Sequence, residues 1–278
     1  MTTKTGDLTG KVALVTGGTQ GLGAAIATVF AQRGAKGIVI CGRNRHKGED
    51  VAARLRRDFD TDVRFVAADL ADMDDVRAVV QACDGAFGRI DALVNAAGLT
   101  DRGTILDTTP ELFDRMMAVN VRALFFLIQD AVKIMIREST EGTIVNIGSM
   151  SAMGGQPFIA AYCASKGALE TLTRNTAYAL LRNRIRVNAL NIGWMASDGE
   201  DRIQREFHGA SEGWLKDAAQ TQPFGRLISP EEVARACAYL SSAESGLMTG
   251  SVICFDQSVW GAYDDSPHPA QAMRLHGE

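Results

Sequence analysis

The chain is poor in the residue patterns on which disulfide scaffolds, metal centres and nucleic-acid binders depend. It has five cysteines, Cys41, Cys83, Cys163, Cys237 and Cys254, with no CxxC pair and no zinc-finger spacing. An odd, scattered set of this kind excludes a disulfide framework and reads as reduced, packed thiols, so a cytoplasmic location is expected. Its four histidines (His46, His208, His268, His276) do not stand at ligand spacing from one another or from a cysteine, and no metal site is expected. Basic charge is not in surplus: 29 Lys+Arg face 33 Asp+Glu, which removes the electrostatic footprint of a nucleic-acid partner. The opening residues Met1-Thr-Thr-Lys-Thr-Gly-Asp hold no apolar core of a secretory signal. The most apolar stretch, 118–136, is interrupted by Arg122, Asp130 and Lys133, so no membrane span is expected.

What remains is average. A composition of 46% hydrophobic and 22% charged residues excludes disorder, collagen and coiled coil. A length of 278 residues suffices for one large α/β domain with a continuous core. Short β-branched, apolar runs at 12–16, 37–41, 63–67, 92–95, 143–147, 185–190 and 252–255 alternate with helical patterns. The helical patterns cover 22–33, 47–57, 73–86, 110–137, 158–181 and 230–241. Thr109-Pro110 and Ser229-Pro230, the latter followed by Glu231 and Glu232, are helix starts. Runs such as Val12-Ala-Leu-Val are apolar throughout, as strands covered on both faces must be. The alternation predicts a doubly wound parallel sheet in one domain. Two segments fall outside it: residues 197–222, of mixed charge and aromatics, and a polar tail, 257–278.

Directly after the first strand comes Thr16-Gly17-Gly18-Thr19-Gln20-Gly21-Leu22-Gly23, and then a helix. Gly17 permits the tight turn, Gly21 lets backbone approach a pyrophosphate, and Gly23 lets helix pack close to strand. The helix N-terminus offers free N–H groups to the phosphates. At the end of the second strand a NAD site usually places an acid on the ribose 2′-hydroxyl. Here the sequence reads Cys41-Gly42-Arg43-Asn44-Arg45, without an acid. Arg43 can fork onto a 2′-phosphate, or belong to a solvated basic loop with Arg45, His46 and Lys47. NADP is the expected cofactor, with NAD possible.

Tyr162-Cys163-Ala164-Ser165-Lys166 puts a phenol and an ammonium four residues apart, on one helix face. A free tyrosine, with pKa about 10, is a poor proton shuttle near neutrality. An ammonium about 4–5 Å away, at an effective dielectric constant of ~20, favours the phenolate by roughly 3–4 kcal/mol. On that arithmetic the tyrosine is brought into the range of general acid–base work.

With TGGTQGLG, Asn95-Ala96-Ala97-Gly98 and YCASK in this order, the sequence resembles the classical short-chain dehydrogenase/reductase family over residues 8–256. The resemblance implies a Rossmann-like, seven-stranded parallel sheet in a single domain, 1–256, and a catalytic set of Asn120, Ser149, Tyr162 and Lys166. Tyr162 would move the proton at the substrate oxygen and Ser149 would orient that oxygen, although Ser151 competes for this assignment. Lys166 would hold the nicotinamide ribose and depress the Tyr162 pKa, and Asn120 would link Lys166 to solvent through water. Cofactor contacts are implied at Gly17, Thr19, Gln20, Gly21, Leu22, Gly23, Arg43, Asp69, Leu70, Asn95, Ala96, Ala97, Gly98, Tyr162, Lys166, Gly193, Met195 and Ser197.

Departures from the family pattern lie at Ile192-Gly193, where Pro-Gly is usual, and at Asp256-Gln257-Ser258, where Asp-Gly-Gly is usual. The expected activity is interconversion of a secondary alcohol and a ketone on a small polyol- or sugar-like molecule. A 3-oxoacyl-carrier-protein reductase would favour a basic docking patch, which 197–222 lacks. A non-catalytic dinucleotide sensor would be expected to lose Tyr162 or Lys166, and an enoyl reductase needs a longer Tyr-to-Lys spacing. Family members commonly form homotetramers, so a homo-oligomer, tetramer or dimer, is expected.

Overall fold

Strands that are apolar on both faces need cover on both faces, and the computed structural model supplies it; residues 6–262 and Met273 are described. The strands are β1 (Val12–Thr16), β2 (Gly37–Gly42), β3 (Asp62–Ala67), β4 (Ala92–Asn95), β5 (Thr143–Ser149), β6 (Arg186–Ile192) and β7 (Val252–Phe255). They form one parallel sheet in the order β3-β2-β1-β4-β5-β6-β7. This is a single Rossmann-like domain, with the order reversing between β1 and β4.

Around the sheet lie α1 (Gly21–Gln32), α2 (Arg45–Asp58), α3 (Met73–Phe87), α4 (Pro110–Met117), α5 (Ala123–Arg137), α6 (Ala160–Ala179) and α9 (Pro230–Ser241). The strand period of two divides the core between the faces. Ala13 and Val15 pack with Ile26, Phe30, Leu55 and Val233 on one side. Val12 and Leu14 pack with Val79, Leu124, Leu127 and Leu169 on the other.

One expectation needs correction, and two segments gain detail. The pattern over 110–137 predicts one helix, but a wide turn, Ala118–Arg122, separates α4 from α5. Such a π-type turn inserts one residue and re-aims the side chains it contains, and Asn120 is among them. Within residues 197–222, Ser197 caps α7 (Asp198–His208), and α8 (Trp214–Gln220) follows. Stacked indoles, Trp194 and Trp214 with centroids 6.1 Å apart, hold this segment to the body. The tail begins as an anchor: Gln257 accepts from the Phe224 N–H at 2.9 Å and donates to the Arg226 carbonyl at 2.6 Å. Beyond 262, Met273 apart, the expected tail lies outside the described residues.

Burial raises the Cys41 and Cys83 thiols to about 12 and pushes Cys237 up as well. Among the described residues no helix is long and apolar enough to cross a membrane, and no group of three His, Cys, Asp or Glu is placed to hold a metal ion.

Two polar contacts fix the sheet's centre. At the C-terminal edge, the Thr16 hydroxyl accepts the N–H groups of both Ala96 and Ala97, each at 3.0 Å. At the opposite edge, buried Asp91 accepts from the Val12 N–H at 2.9 Å and from Arg89 at 2.7 and 2.9 Å. Charge-assisted bonds of this kind contribute about 1.5–3 kcal/mol. Asp91→Ala is therefore expected to lower the unfolding free energy by about 2–3 kcal/mol, read as a lower urea midpoint without loss of nucleotide binding.

Candidate active site

At the switch point the chains leaving β1 and β4 diverge to opposite faces and open a crevice above the strand ends. A cleft of about 780 Å³ runs along it. It is lined by Gly17, Thr19, Gln20, Gly21, Leu22, Gly23, Arg43, Asp69, Leu70, Ala96, Ala97, Gly98, Ser149, Tyr162, Lys166, Gly193, Met195 and Ser197. The sequence-derived set is thus brought together except for two residues. Asn95 is buried in the sheet, where its amide donates to Asn146 at 2.9 Å. Asn120 lies behind the cleft wall, donating to the Leu99 carbonyl and Ser165 hydroxyl and accepting from the Leu99 N–H at 2.8 Å.

The nucleotide end has the form an anion requires. Gly17 adopts φ 69°, and a Cβ there would sit 3.0 Å from the Ala97 Cα. A Cβ on Gly23 would meet the Gly17 carbonyl at 2.2 Å, so only glycine lets α1 start this close to β1. The start of α1 has no side-chain cap and no acid in its first turn, leaving its N–H groups to be satisfied from the cleft. Arg43 is exposed at the rim, and Lys47 reaches Gln20 at 3.0 Å. Asp69 is held below the usual carboxylate range, first by the Ala71 N–H and then by Arg115, 3.2 Å away. These features fit a dinucleotide: a phosphate at the bare helix start, an adenine beside Asp69 and an additional anion at Arg43.

At the other end, β5 delivers Ser149 and α6 delivers Tyr162 and Lys166. The Ser149 hydroxyl stands by the Tyr162 phenol, whose pKa it pulls down, and it accepts from the Ser151 N–H at 3.1 Å. Ser151 itself turns to Gln156 at 3.0 Å, so Ser149 is the serine at the phenol. Lys166 is buried and donates to the Ile147 carbonyl at 2.8 Å, with its Nζ 5.5 Å from the Tyr162 ring centroid.

The pairwise arithmetic of phenol and ammonium does not carry over to the folded chain. Burial raises Tyr162 to about 12, against a lowering by Ser149, and burial lowers Lys166 to about 8. Desolvation disfavours both charged forms and outweighs their mutual attraction. A Cβ at Gly193 would lie 1.8 Å from an Asp256 carboxylate oxygen, so a side chain there would displace that of Asp256. Ser197, a suggested cofactor contact, accepts the Glu200 N–H at 3.2 Å as the cap of α7.

Several cleft residues escaped the sequence reading: Arg102, Arg115, Phe158, Trp194, Glu200 and His208. Arg102 donates to His208 Nε2 at 3.2 Å and to the Thr100 carbonyl at 2.9 Å, above the Phe158 ring. Glu200 accepts from Trp194 and Gln204, both at 2.8 Å. No local motif marks these residues; their convergence depends on α7 folding over the cleft.

A parallel sheet with this order, a glycine turn at its switch point and a Ser-Tyr-Lys cluster beside it define a dinucleotide-dependent oxidoreductase. The chain belongs to the classical short-chain dehydrogenase/reductase family: a family model described as Enoyl-(Acyl carrier protein) reductase matches residues 17–258. It is 34% identical over 252 residues to the NADP-dependent (R)-specific alcohol dehydrogenase of Lentilactobacillus kefiri, covering 90% of this chain and 96% of that one. It is 31% identical to galactitol 2-dehydrogenase of Agrobacterium fabrum, with 91% and 98% covered. The structure of L-sorbose reductase from Gluconobacter frateurii, complexed with NADPH and L-sorbose, superposes with TM-score 0.86 at 29% identity, covering 94% of this chain and all of that one.

The Lys166 shift predicts a pH signature. The native lysine releases its proton near pH 8 and the unfolded one near 10.5, so between these values the unfolded chain binds more protons. Native stability conferred by this group rises with pH across that window. The stability difference between wild type and Lys166→Met should therefore move in favour of wild type from pH 8 to pH 10, read by urea unfolding at each pH.

Proposed function

We propose that this chain is an NADP(H)-preferring oxidoreductase that interconverts a secondary alcohol and a ketone on a small polyol- or sugar-like substrate. The observation that carries this reading is the Ser149, Tyr162 and Lys166 cluster at one end of a cleft whose other end is a bare helix start. The substrate end is lined by hydrogen-bonding groups from Arg102, Gln156, Trp194, Glu200, Gln204 and His208, which suits a hydroxylated molecule. Relatives named for galactitol and L-sorbose lend the same support.

The residues divide the work. The Ser149 hydroxyl donates to the substrate oxygen and fixes its position. Tyr162 gives its proton to that oxygen in reduction and takes it back in oxidation. A bound nicotinamide supplies or accepts the hydride. The Lys166 ammonium holds the ribose and stabilises the transient phenolate, which a site buried this deeply otherwise disfavours. The position of a Gly98 Cβ lies 3.5 Å from Asn120 Oδ1 and 3.6 Å from Lys166 Nζ. This glycine therefore leaves room for a water between them, through which Lys166 can be reprotonated. Arg43 at the rim receives the 2′-phosphate of NADP.

Arg202 and Arg205 on α7 are paired with Glu206 and Asp201, so the segment over the cleft offers no unpaired basic patch for an acyl-carrier protein. Retention of both Tyr162 and Lys166 in the cleft favours an enzyme over a sensor. Exposed Phe113, Phe125 and Tyr178 on α4, α5 and α6 support assembly with further copies of the chain.

Tyr162→Phe is expected to lower kcat by about 10²–10⁴-fold or more, with NADPH affinity retained by fluorescence titration; robust turnover would refute the assignment. Arg43→Ala is expected to reduce the NADP:NAD preference in kcat/KM by about 10–100-fold, as loss of a charged hydrogen-bonding partner requires. An unchanged ratio would sink the NADP reading.

A further inference from the structure

Arg102 follows β4 in the chain and reaches the cleft beside the catalytic tyrosine. Its guanidinium is half-buried, yet no carboxylate among the described residues pairs with it. Of its five N–H donors, one goes to His208 and one to the Thr100 carbonyl; the other three meet no acceptor among the described residues. Donation to His208 Nε2 leaves that nitrogen without a proton, so the imidazole serves as an orienting acceptor. The Phe158 ring lies under the guanidinium, 5.3 Å from centroid to Cζ, and packs edge-on against His208 at 5.3 Å. Two side chains from separate segments, His208 and Phe158, and the Thr100 carbonyl thus hold one cation in place.

The nearby acids do not use it. Glu200 is engaged by Trp194 and Gln204, and it and Asp101 act on Arg102 only through their field. Arg102 and Tyr162 line the same cleft, so one small molecule there can meet both the guanidinium and the phenol. The other arginines of the cleft differ: Arg115 is paired with Asp69, Arg202 with Glu206, and Arg43 stands at the nucleotide end. An oriented, partly desolvated guanidinium with unused donors is matched by a planar anion that accepts two parallel hydrogen bonds.

We propose that Arg102 is the specificity residue of the substrate end and that it binds a carboxylate, so that the preferred substrate is a hydroxylated acid and its oxo acid rather than a neutral polyol and ketose. This rests on the alcohol–ketone reading above and narrows it. Burial holds the Arg102 guanidinium below its ordinary pKa, a cost that an incoming carboxylate removes.

The test compares NADPH-dependent reduction of L-sorbose with that of 5-oxo-D-gluconate, in which the terminal CH₂OH far from the ketone is replaced by a carboxylate. Wild type is expected to favour the oxo acid by about 100-fold in kcat/KM, the worth of a charged hydrogen-bonding pair. Arg102→Gln should collapse that ratio, mainly through KM of the acid, and Arg102→Lys should restore part of it. NADPH titration and melting of each variant read its folding. A wild-type preference for L-sorbose overturns the proposal without any variant, as does an Arg102→Gln enzyme whose ratio is unchanged. Oxidation of neutral secondary alcohols with neither probe reduced also overturns it and leaves the broader reading standing. If no alcohol or ketone in a panel turns over with either nucleotide, the alcohol–ketone reading itself fails.

Discussion

The Thr16 hydroxyl, accepting two backbone N–H groups from the strand next to its own, is the constraint around which the site is arranged. It holds the chain leaving β4 across the end of β1 at the point where the connections turn to opposite faces. Backbone is packed so closely there that a Cβ on Gly17 would press on Ala97, and one on Gly23 would collide with the Gly17 carbonyl. Close approach on this scale brings backbone to the surface of the crevice at the glycine turn, where its polar groups are offered to whatever binds.

At the catalytic end the governing quantity is dehydration. Lys166 is buried and Tyr162 half-buried at the cleft wall, and both lose part of the tendency to carry charge. A tyrosine raised to about 12 holds its proton firmly, as suits donation to a substrate oxygen that gains negative charge as it is reduced. Arg102 is under the same pressure, but its planar donors point into the cleft rather than to a protein acid. The low dielectric that handicaps each group alone strengthens whatever they bind together.

Much of this was legible beforehand because it is local. Strands such as β1 and β2 follow from apolar runs without alternation, since a strand covered on both faces has no polar side to show. Gly17, Gly21 and Gly23 declare a turn by their spacing, and Tyr162 and Lys166 declare a shared face by theirs. The π-type turn at Asn120 was not legible, because one inserted residue leaves the hydrophobic pattern almost unaltered over two helices. The direction of the Tyr162 shift was also missed: the sequence places a cation nearby but says nothing of how much water the fold removes. Asn95 reads as a cleft residue by its motif, whereas its amide is spent inside the sheet on Asn146.

By itself, the sequence determined the architecture, the glycine turn at the switch point and the pairing of Tyr162 with Lys166 on one helix face, because periodicity and short spacings encode each of them. Tertiary structure alone decided what surrounds that phenol. Arg102 and Phe158 meet because Gly103 pairs with the backbone at Phe158 and Ala160, and His208 joins them from the end of α7, beside the stacked indoles of Trp194 and Trp214. Contacts between distant segments depend on packing, which no local spacing records, and the substrate end is built entirely from such contacts.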